Sequence, residues 1–353
     1  MMKYNYLVNV EEILGVKINR KDFKWSYGTV APLSTKDEYE KCLIKIEIDV
    51  VKDKMVFQNL EKSENIGKYH YFLGEKNAQQ IYYERSFFFG KKLKYSIKIT
   101  DNKVKVIVGN SYYKHVKHRI MGLHSISYIL TDITSGLLLQ NGLATIHCSA
   151  VNSDNQTIVF FAPPNTGKTL TSIQLCKNNK FNYIAEDFAI TDGETIYSVP
   201  WTSTFRYYDD INESIFDKIS NKFKKVLPIL ELISFRKNKS IDKYIGMDRI
   251  KKVSKVTDVA ILERGPQSIT QDKEDGLRKL INLNKYEFNY HKAPAVVVFD
   301  YFNNNFSPDK MYLKEKEILK KLLDNTNYYC VMESNALNYA TSILDKIKSK
   351  KNA

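Results

Sequence analysis

The residues with the clearest chemical potential are Gly167, Lys168 and Thr169, which end the segment A-P-P-N-T-G-K-T at positions 162–169. The apolar run I-V-F-F at 158–161 precedes this segment, and a stretch compatible with a helix follows it. The order of strand, turn and helix is typical of a phosphate loop, in which backbone N–H groups and a helix N-terminus hold polyphosphate. The sequence therefore predicts that Lys168 reaches the β- and γ-phosphates of a nucleotide and that the Thr169 hydroxyl is a ligand of Mg²⁺. The residues expected to contact the nucleotide are Pro164, Asn165, Thr166, Gly167, Lys168, Thr169 and Leu170.

One position of this segment departs from the usual phosphate-loop pattern, G-x-x-x-x-G-K-[S/T]. Ala162 stands where the first glycine is expected. A glycine there usually supplies a backbone conformation in which no Cβ clashes. Ala162 can take its place if its φ is negative, and Pro163 favours an extended conformation for the residue before it. The structural alternative is a strand–turn–helix with a chance G-K-T, which the flanking strand and helix make the less favoured interpretation.

Two adjacent carboxylates, Glu186 and Asp187, follow the loop in the apolar segment Y-I-A-E-D-F-A-I at 183–190. Phosphoryl transfer to a hydroxyl needs a phosphate cradle, a metal ion and a base that takes the hydroxyl proton. A strand returning alongside the loop would bring these carboxylates to the γ-phosphate and to Mg²⁺. Adjacent residues of a strand point to opposite faces, so both reach the site only if the strand bends there.

His147 adds a third element to this arrangement. It lies in the apolar segment A-T-I-H-C-S-A at 144–150, which a short turn separates from the strand before the loop. The order of H-C-S-A, the loop ending in G-K-T, and A-E-D at 185–187 resembles the kinase domain of HPr kinase/phosphorylase, whose core is similar to that of phosphoenolpyruvate carboxykinase. The resemblance covers roughly residues 143–200. It implies an α/β (α+β) fold with a P-loop kinase core, ATP and Mg²⁺ as cofactors, and the serine hydroxyl of a protein or peptide as acceptor.

The resemblance also implies a role for each matching residue. Lys168 and Thr169 carry the nucleotide phosphates and Mg²⁺, Glu186 falls where the family has its base, and Asp187 falls in the place close to the metal. His147, beside the acidic pair, tunes its protonation. The alternative interpretation of His147 is a buried core histidine whose ring nitrogens are hydrogen-bonded and have no part in catalysis.

The chain differs from the family at three points. Ala162 replaces a glycine, Glu186 replaces an aspartate, and the downstream Ile-Arg-Gly segment of the family is absent. These differences leave phosphorylase activity, and HPr itself as the acceptor, outside what the resemblance implies. Arg206, in P-W-T-S-T-F-R at 200–206, is a candidate phosphate or substrate contact, with an ordinary surface arginine as the alternative.

Other classes of protein compete with the kinase interpretation. The run A-V-V-V-F-D at 295–300 has the pattern of a Walker B strand, in which Asp300 would hold the Mg²⁺ of a P-loop ATPase. The altered first loop position also admits a non-catalytic nucleotide-binding or scaffold protein. The net charge of +14 favours an anionic ligand, but a nucleic-acid binder would rest on charge alone, so nucleic acid is not expected as a partner.

The rest of the chain is organised around these motifs. With 353 residues it has room for two domains. Residues 1–139 are predicted to form a β-rich N-terminal domain that includes a hairpin turn at Asp101-Asn102 and ends in an amphipathic helix over 114–140. Residues 140–353 are predicted to form the nucleotide-binding domain, with strands at 256–265, 295–300 and 328–332 and helices at 313–324 and 335–348.

The cysteines, the N-terminal segment and the lengths of the apolar stretches indicate the compartment in which the protein is expected. The four cysteines show no zinc spacing, so reduced thiols in a cytoplasmic protein are expected. The N-terminus has no signal-peptide core, and no apolar stretch is long enough to span a membrane. The sequence leaves the oligomeric state open, with a homo-oligomer as one option.

Overall fold

A computed structural model describes residues 3–20, 23, 25–28, 31–56, 64–65, 70–75, 78–86, 90–117, 126–153, 155–178, 181–202, 241, 245–303 and 306–351. These residues form an α/β protein with two eight-stranded sheets. The chain divides into two compact units. The first contains the described residues of Met1–Thr134 and of Ala293–Phe306, and the second contains those of Ser135–Thr202, Ile241–Lys292 and Ser307–Ala353.

Both units contain strands and helices. The strands are β1 Asn5–Val10, β2 Leu14–Ile18, β3 Ile44–Val51, β4 Glu64–Asn65, β5 His70–Glu75, β6 Ala78–Ser86, β7 Lys92–Thr100, β8 Lys103–Gly109, β9 Ala144–Ser153, β10 Gln156–Phe161, β11 Asn182–Thr191, β12 Thr195–Ser198, β13 Val253–Lys255, β14 Asp258–Arg264, β15 Ser268–Thr270 and β16 Asn327–Glu333. The α-helices are α1 Lys36–Lys41, α2 Asn110–Lys117, α3 Ile126–Gln140, α4 Lys168–Asn178, α5 Lys273–Glu287, α6 Pro294–Asn303, α7 Pro308–Asp324 and α8 Tyr339–Lys351.

The sheet of the first unit has the order β1-β2-β3-β8-β7-β6-β5-β4. Alternating sequences build it, since β3 buries every second residue. The hairpin predicted at Asp101-Asn102 is confirmed, because Thr100 pairs with Lys103 across the β7–β8 turn. Of the helix predicted over 114–140, residues 114–117 lie in α2, which begins earlier, at Asn110, and residues 126–140 form α3; residues 118–125 lie outside the described residues.

The sheet of the second unit has the order β13-β12-β11-β9-β10-β14-β16-β15. β10, β14 and β16 are parallel, and β9 runs antiparallel to both β10 and β11. β10 and β11 therefore point the same way, and their C-terminal ends reach the same edge of the sheet. One face of the sheet packs against leucines of α5 and α7, including Leu280, Leu319 and Leu322, all of which are buried. Burial of each such side chain contributes about 1.5–3 kcal/mol, which holds the strands that carry the site in register.

The predicted strand at 295–300 is wrong, because these residues lie in helix α6. Pro294 is the first helical residue, where its fixed φ favours helix and its missing N–H is not needed. Phe302 at the end of the helix stacks on Phe72 of β5, with ring centres 3.9 Å apart. Asp300 is therefore a helix residue of the first unit and does not end a strand beside the loop, so the Walker B interpretation is also wrong. A short apolar run fits a helix and a strand equally well by periodicity, which explains the error.

The remaining predicted elements of the second unit agree with the structure. The strands expected at 256–265 and 328–332 correspond to β14 and β16, and the helices expected at 313–324 and 335–348 correspond to α7 and α8. No helix in the described part of the chain is both long enough and apolar enough to cross a membrane.

Candidate active site

The phosphate-loop segment joins β10 to α4, which begins at Lys168 immediately after Gly167. Two described residues of the segment have positive φ, Asn165 at 61° and Gly167 at 130°. Glycine takes this conformation without strain, and asparagine tolerates it better than most residues. Ala162 is not among the residues with positive φ, so an alanine is compatible with the backbone at this position. The two positive φ angles of the segment thus fall on an asparagine and a glycine, residue types that tolerate them.

Lys168 is buried at the start of α4, with 8% of its surface exposed. Its Nζ donates a hydrogen bond to the carbonyl oxygen of Ala162 at 3.1 Å and lies 3.2 Å from Nε2 of His147. Burial lowers the pKa of this lysine, although nearby acidic groups act in the opposite direction. The ammonium group is therefore poorly solvated and would gain from an anionic ligand.

Thr169 and Glu186 form the second contact across the site. The Thr169 hydroxyl donates to Oε1 of Glu186 at 2.7 Å, and Glu186 is only 3% exposed. The backbone carbonyl of Glu186 accepts a hydrogen bond from the Thr202 hydroxyl at 2.6 Å, which anchors this part of β11. A hydroxyl and a carboxylate are hard oxygen ligands of the kind that Mg²⁺ prefers.

β11 contains the irregularity that two adjacent carboxylates require. Its register against β9 shifts between Tyr183 and Ala185, and Asp187 has a φ of 85°. A bulge and a left-handed residue both redirect side chains from the regular alternation of a strand. Glu186 consequently reaches Thr169, while Asp187 reaches His147.

His147 connects the lysine to two carboxylates. Its Nε2 lies 3.3 Å from Oδ1 of Asp187, and its Nδ1 lies 3.0 Å from Oε1 of Glu287. Burial acts to lower the pKa of His147, but hydrogen bonds to the two carboxylates raise it above its ordinary value. The hydrogen bond to His147 in turn lowers the pKa of Glu287. Lys168 and Asp187 both approach Nε2, so protonation of this one nitrogen affects both the lysine and the acidic pair.

Two residues of α5, Asn284 and Glu287, belong to the site but were not predicted from the sequence. The Asn284 side chain accepts a hydrogen bond from the backbone N–H of His147 and donates one to the carbonyl of Thr145, both at 3.1 Å. The pairing of β9 with β10 ends at Ser149, where β10 turns into the loop. At residues 145–147, β9 no longer pairs with β10, and the carboxamide of Asn284 hydrogen-bonds the backbone of β9 instead. These bonds hold the backbone of His147 in place.

A sequence signal for Asn284 exists in the pattern of α5. Gly276, Leu280 and Asn284 are buried at four-residue spacing, so a polar residue stands in the apolar stripe of the helix. Glu287 follows three residues later, one turn further along the helix. A buried polar residue of this kind needs a partner, which marks it as a candidate positioning group.

Beneath Asn284 lies a buried carboxyl, Glu315 of α7, which is 2% exposed and accepts a hydrogen bond from the Tyr290 hydroxyl at 3.1 Å. Burial raises its pKa to about 7, against the opposing effect of hydrogen bonds from Asn284 and Tyr290. Because the folded pKa exceeds the unfolded one, the contribution of Glu315 to stability is present below about pH 4.5 and is lost as the pH rises to about 7. Glu315→Gln lacks this titration, so its stability relative to wild type should increase between pH 5 and pH 8, by up to about 3 kcal/mol.

Urea unfolding of both proteins at pH 5, 6, 7 and 8 measures this difference. Glu317→Gln, at an exposed position of the same helix, is the matched control and should show no such trend. A stability difference between Glu315→Gln and wild type that is independent of pH would contradict the expectation.

The structure thus brings together the predicted residues His147, Lys168, Thr169, Glu186 and Asp187, and it places residues 164–170 in the loop and the first turn of α4. Arg206 lies outside the described residues. Within the described ranges, no group of three or more His, Cys, Asp or Glu side chains is arranged to hold a metal ion. The Thr169 hydroxyl and the Glu186 carboxylate are nevertheless oxygen donors that would suit Mg²⁺.

Comparisons with known proteins give little beyond this geometry. No protein-family model matches the chain, and no curated protein matches it. Among solved structures, the Hpr(Ser) kinase/phosphatase from Coxiella burnetii is similar over 42% of this chain and 95% of that chain, with 10% sequence identity and a TM-score of 0.22. This is a weak similarity at the level of the fold.

Proposed function

We propose that this chain is an ATP-dependent kinase, with a P-loop kinase core, that transfers the γ-phosphate to the hydroxyl of a serine in a protein or peptide. One observation carries the proposal. At the N-terminus of α4, Lys168 Nζ lies 3.2 Å from Nε2 of His147 and the Thr169 hydroxyl donates to Glu186, while His147 contacts Asp187. A cation, a hydroxyl, a helix N-terminus and two carboxylates around one loop are the groups that phosphoryl transfer to a hydroxyl requires.

Binding of the nucleotide is the task of the loop and of Lys168. The N–H groups of the first turn of α4 have no partners within the helix, and the helix dipole favours negative charge there. Lys168 would exchange its contact with the Ala162 carbonyl for the β- and γ-phosphate oxygens. Its poor solvation makes this exchange favourable, because the charge gains a full counter-charge.

The hydrogen bonds favour a division of roles between the carboxylates that differs from the one the resemblance implies. Glu186 is bonded to Thr169, so in this proposal these two residues hold Mg²⁺, which when bound neutralises charge on the phosphates. Asp187 is 30% exposed at its side chain and is oriented by His147, so it accepts the proton of the acceptor hydroxyl as the oxygen attacks the γ-phosphorus. The bond from the γ-phosphorus to the β-phosphate oxygen breaks, and ADP leaves.

Transfer of the γ-phosphate from labelled ATP to serine-containing peptides tests the proposal. Wild type should label the acceptor in the presence of Mg²⁺, whereas Glu186→Gln should require far more Mg²⁺ and Lys168→Ala should be inactive. Equal labelling by wild type and both variants would refute the assignment of the site.

A second function, nucleotide binding without transfer, is favoured by one observation. Ala162 stands where the first glycine of a phosphate loop is expected, while Gly167, Lys168 and Thr169 keep the rest of the pattern. Measurable MgATP binding with neither ATP turnover nor labelling of any acceptor would support this alternative over the kinase.

A further inference from the structure

The edge of the second sheet that carries the loop continues on the side away from Glu186 and Asp187. β10, β14 and β16 are parallel neighbours, so their C-terminal ends meet at this edge. β14 ends at Arg264 and β16 ends at Glu333, and these two residues are paired in register. Ligands of open α/β sheets bind outside the carboxyl ends of the strands, which makes this stretch of the edge accessible to a ligand already held by the loop.

The turn after β16, residues 334–338, packs directly against the loop. A Cβ added to Gly167 would lie 3.0 Å from the Cβ of Ala336 and 3.6 Å from the ring of Tyr339. The loop and the turn are therefore in close contact. Leu337 in this turn is 54% exposed, which leaves an apolar side chain open to solvent beside the loop.

Arg264 lies over the same turn. Its Nη1 donates to the carbonyl oxygen of Ser334 at 3.1 Å, and its guanidinium carbon is 6.0 Å from the centre of the Tyr339 ring. The carboxylates next to it are engaged elsewhere, since Glu263 pairs with Lys279 at 2.7 Å and Glu333 accepts from Ser342. Within the described part of the chain, the guanidinium of Arg264 has this one hydrogen bond, to Ser334, which leaves most of its N–H donors and one planar face for a ligand.

We propose that Arg264 and Leu337 form the nucleoside-binding part of the site, with the base of a nucleoside triphosphate resting on the guanidinium and on the leucine. The inference rests on the proposed function, because it takes the loop to hold the triphosphate. Arginine stacks readily on nucleic-acid bases, which all offer a π-face. β11 and β14 are three strand steps apart, roughly 14 Å, a span comparable to an extended nucleotide that runs from its reacting phosphate to its base.

Isothermal titration of the full chain with MgATP, MgADP and magnesium tripolyphosphate tests the assignment, since tripolyphosphate has no nucleoside. Arg264→Ala should weaken binding of MgATP and MgADP about tenfold and leave tripolyphosphate binding within about twofold of wild type. Leu337→Ala should change the three affinities in the same pattern, by a smaller factor. Arg278→Ala is the matched control, because Arg278 is an exposed arginine paired with Asp275 on α5, and it should change none of the affinities.

Two results for Arg264→Ala would overturn this inference without affecting the proposed function. An equal loss of affinity for tripolyphosphate would make Arg264 a phosphate contact, and unchanged affinity for all three ligands would remove it from the site. Wild-type protein that binds tripolyphosphate as tightly as MgATP would likewise show that no nucleoside subsite exists. Failure of wild type to bind MgATP at all would overturn the proposed function together with this inference, so the two kinds of failure are distinguishable.

Discussion

Asp187→Asn should lower the turnover of phosphate transfer by about 10²- to 10⁴-fold, the usual contribution of a positioned general base. The carboxamide keeps the size of the side chain and tolerates the φ of 85° at this position, but it cannot take the proton of the acceptor hydroxyl. MgATP affinity should stay within about twofold of wild type, because in this proposal Thr169 and Glu186 hold the metal. Steady-state kinetics with a serine peptide, together with titration of MgATP, separate the two quantities.

The backbone of Asp187 needs its own control, since residues with positive φ are sensitive to substitution. Asp187→Gly and Asp187→Ala both remove the carboxylate, but only glycine adopts this conformation without strain. The glycine variant should therefore be more stable than the alanine variant by about 1–2 kcal/mol, while both are equally inactive. Activity of Asp187→Asn within a few-fold of wild type would show that the base lies elsewhere, and Glu186 would be the next candidate.

Lys168→Ala should abolish measurable transfer and weaken MgATP binding by about 10- to 100-fold, the value of a charge-assisted hydrogen bond lost from a ligand. The protein should nevertheless fold, because burial lowers the pKa of Lys168 and the charged form is already disfavoured there. Removal of the side chain takes one hydrogen bond from Ala162 but also relieves a poorly solvated charge. Circular dichroism and thermal unfolding should be close to those of wild type.

The matched control for this substitution is Lys177→Ala, which removes an exposed lysine from the last turn of the same helix. Transfer and MgATP binding should both be retained in this variant. Loss of activity in Lys177→Ala as large as in Lys168→Ala would point to damage to α4 rather than to loss of a phosphate contact.

The local parts of the site were predictable because each depends on neighbours in sequence. β10, the loop and α4 are consecutive in the chain, and each is predicted from its own residues: an apolar run, turn residues and a helix-compatible stretch. The sequence indicates only that this strand, β11, must bend if both carboxylates are to reach the site. Nothing in Y-I-A-E-D-F-A-I shows which residue shifts the register or takes a positive φ. The apolar run at 295–300 was assigned to a strand because its length and composition suit both states, and packing of Phe302 on Phe72 accompanies the helix.

Partners that are distant in sequence could not be predicted. Asn284 and His147 are 137 residues apart, and the hydrogen bond between them exists because α5 packs beside the free edge of β9. Glu287 reaches the histidine ring by the same packing.

The chemical groups of the site can be read from the sequence alone: a lysine and a threonine at a helix N-terminus, a carboxylate pair and a histidine, in an order that resembles a kinase core. Which of these groups touch follows from the folded chain: Glu186 contacts Thr169, Asp187 contacts His147, and α5 supplies two further contacts. This difference arises because helix starts and turns are set by short-range backbone energetics, whereas the order of strands in a sheet and the docking of helices depend on burial of apolar surface between distant segments.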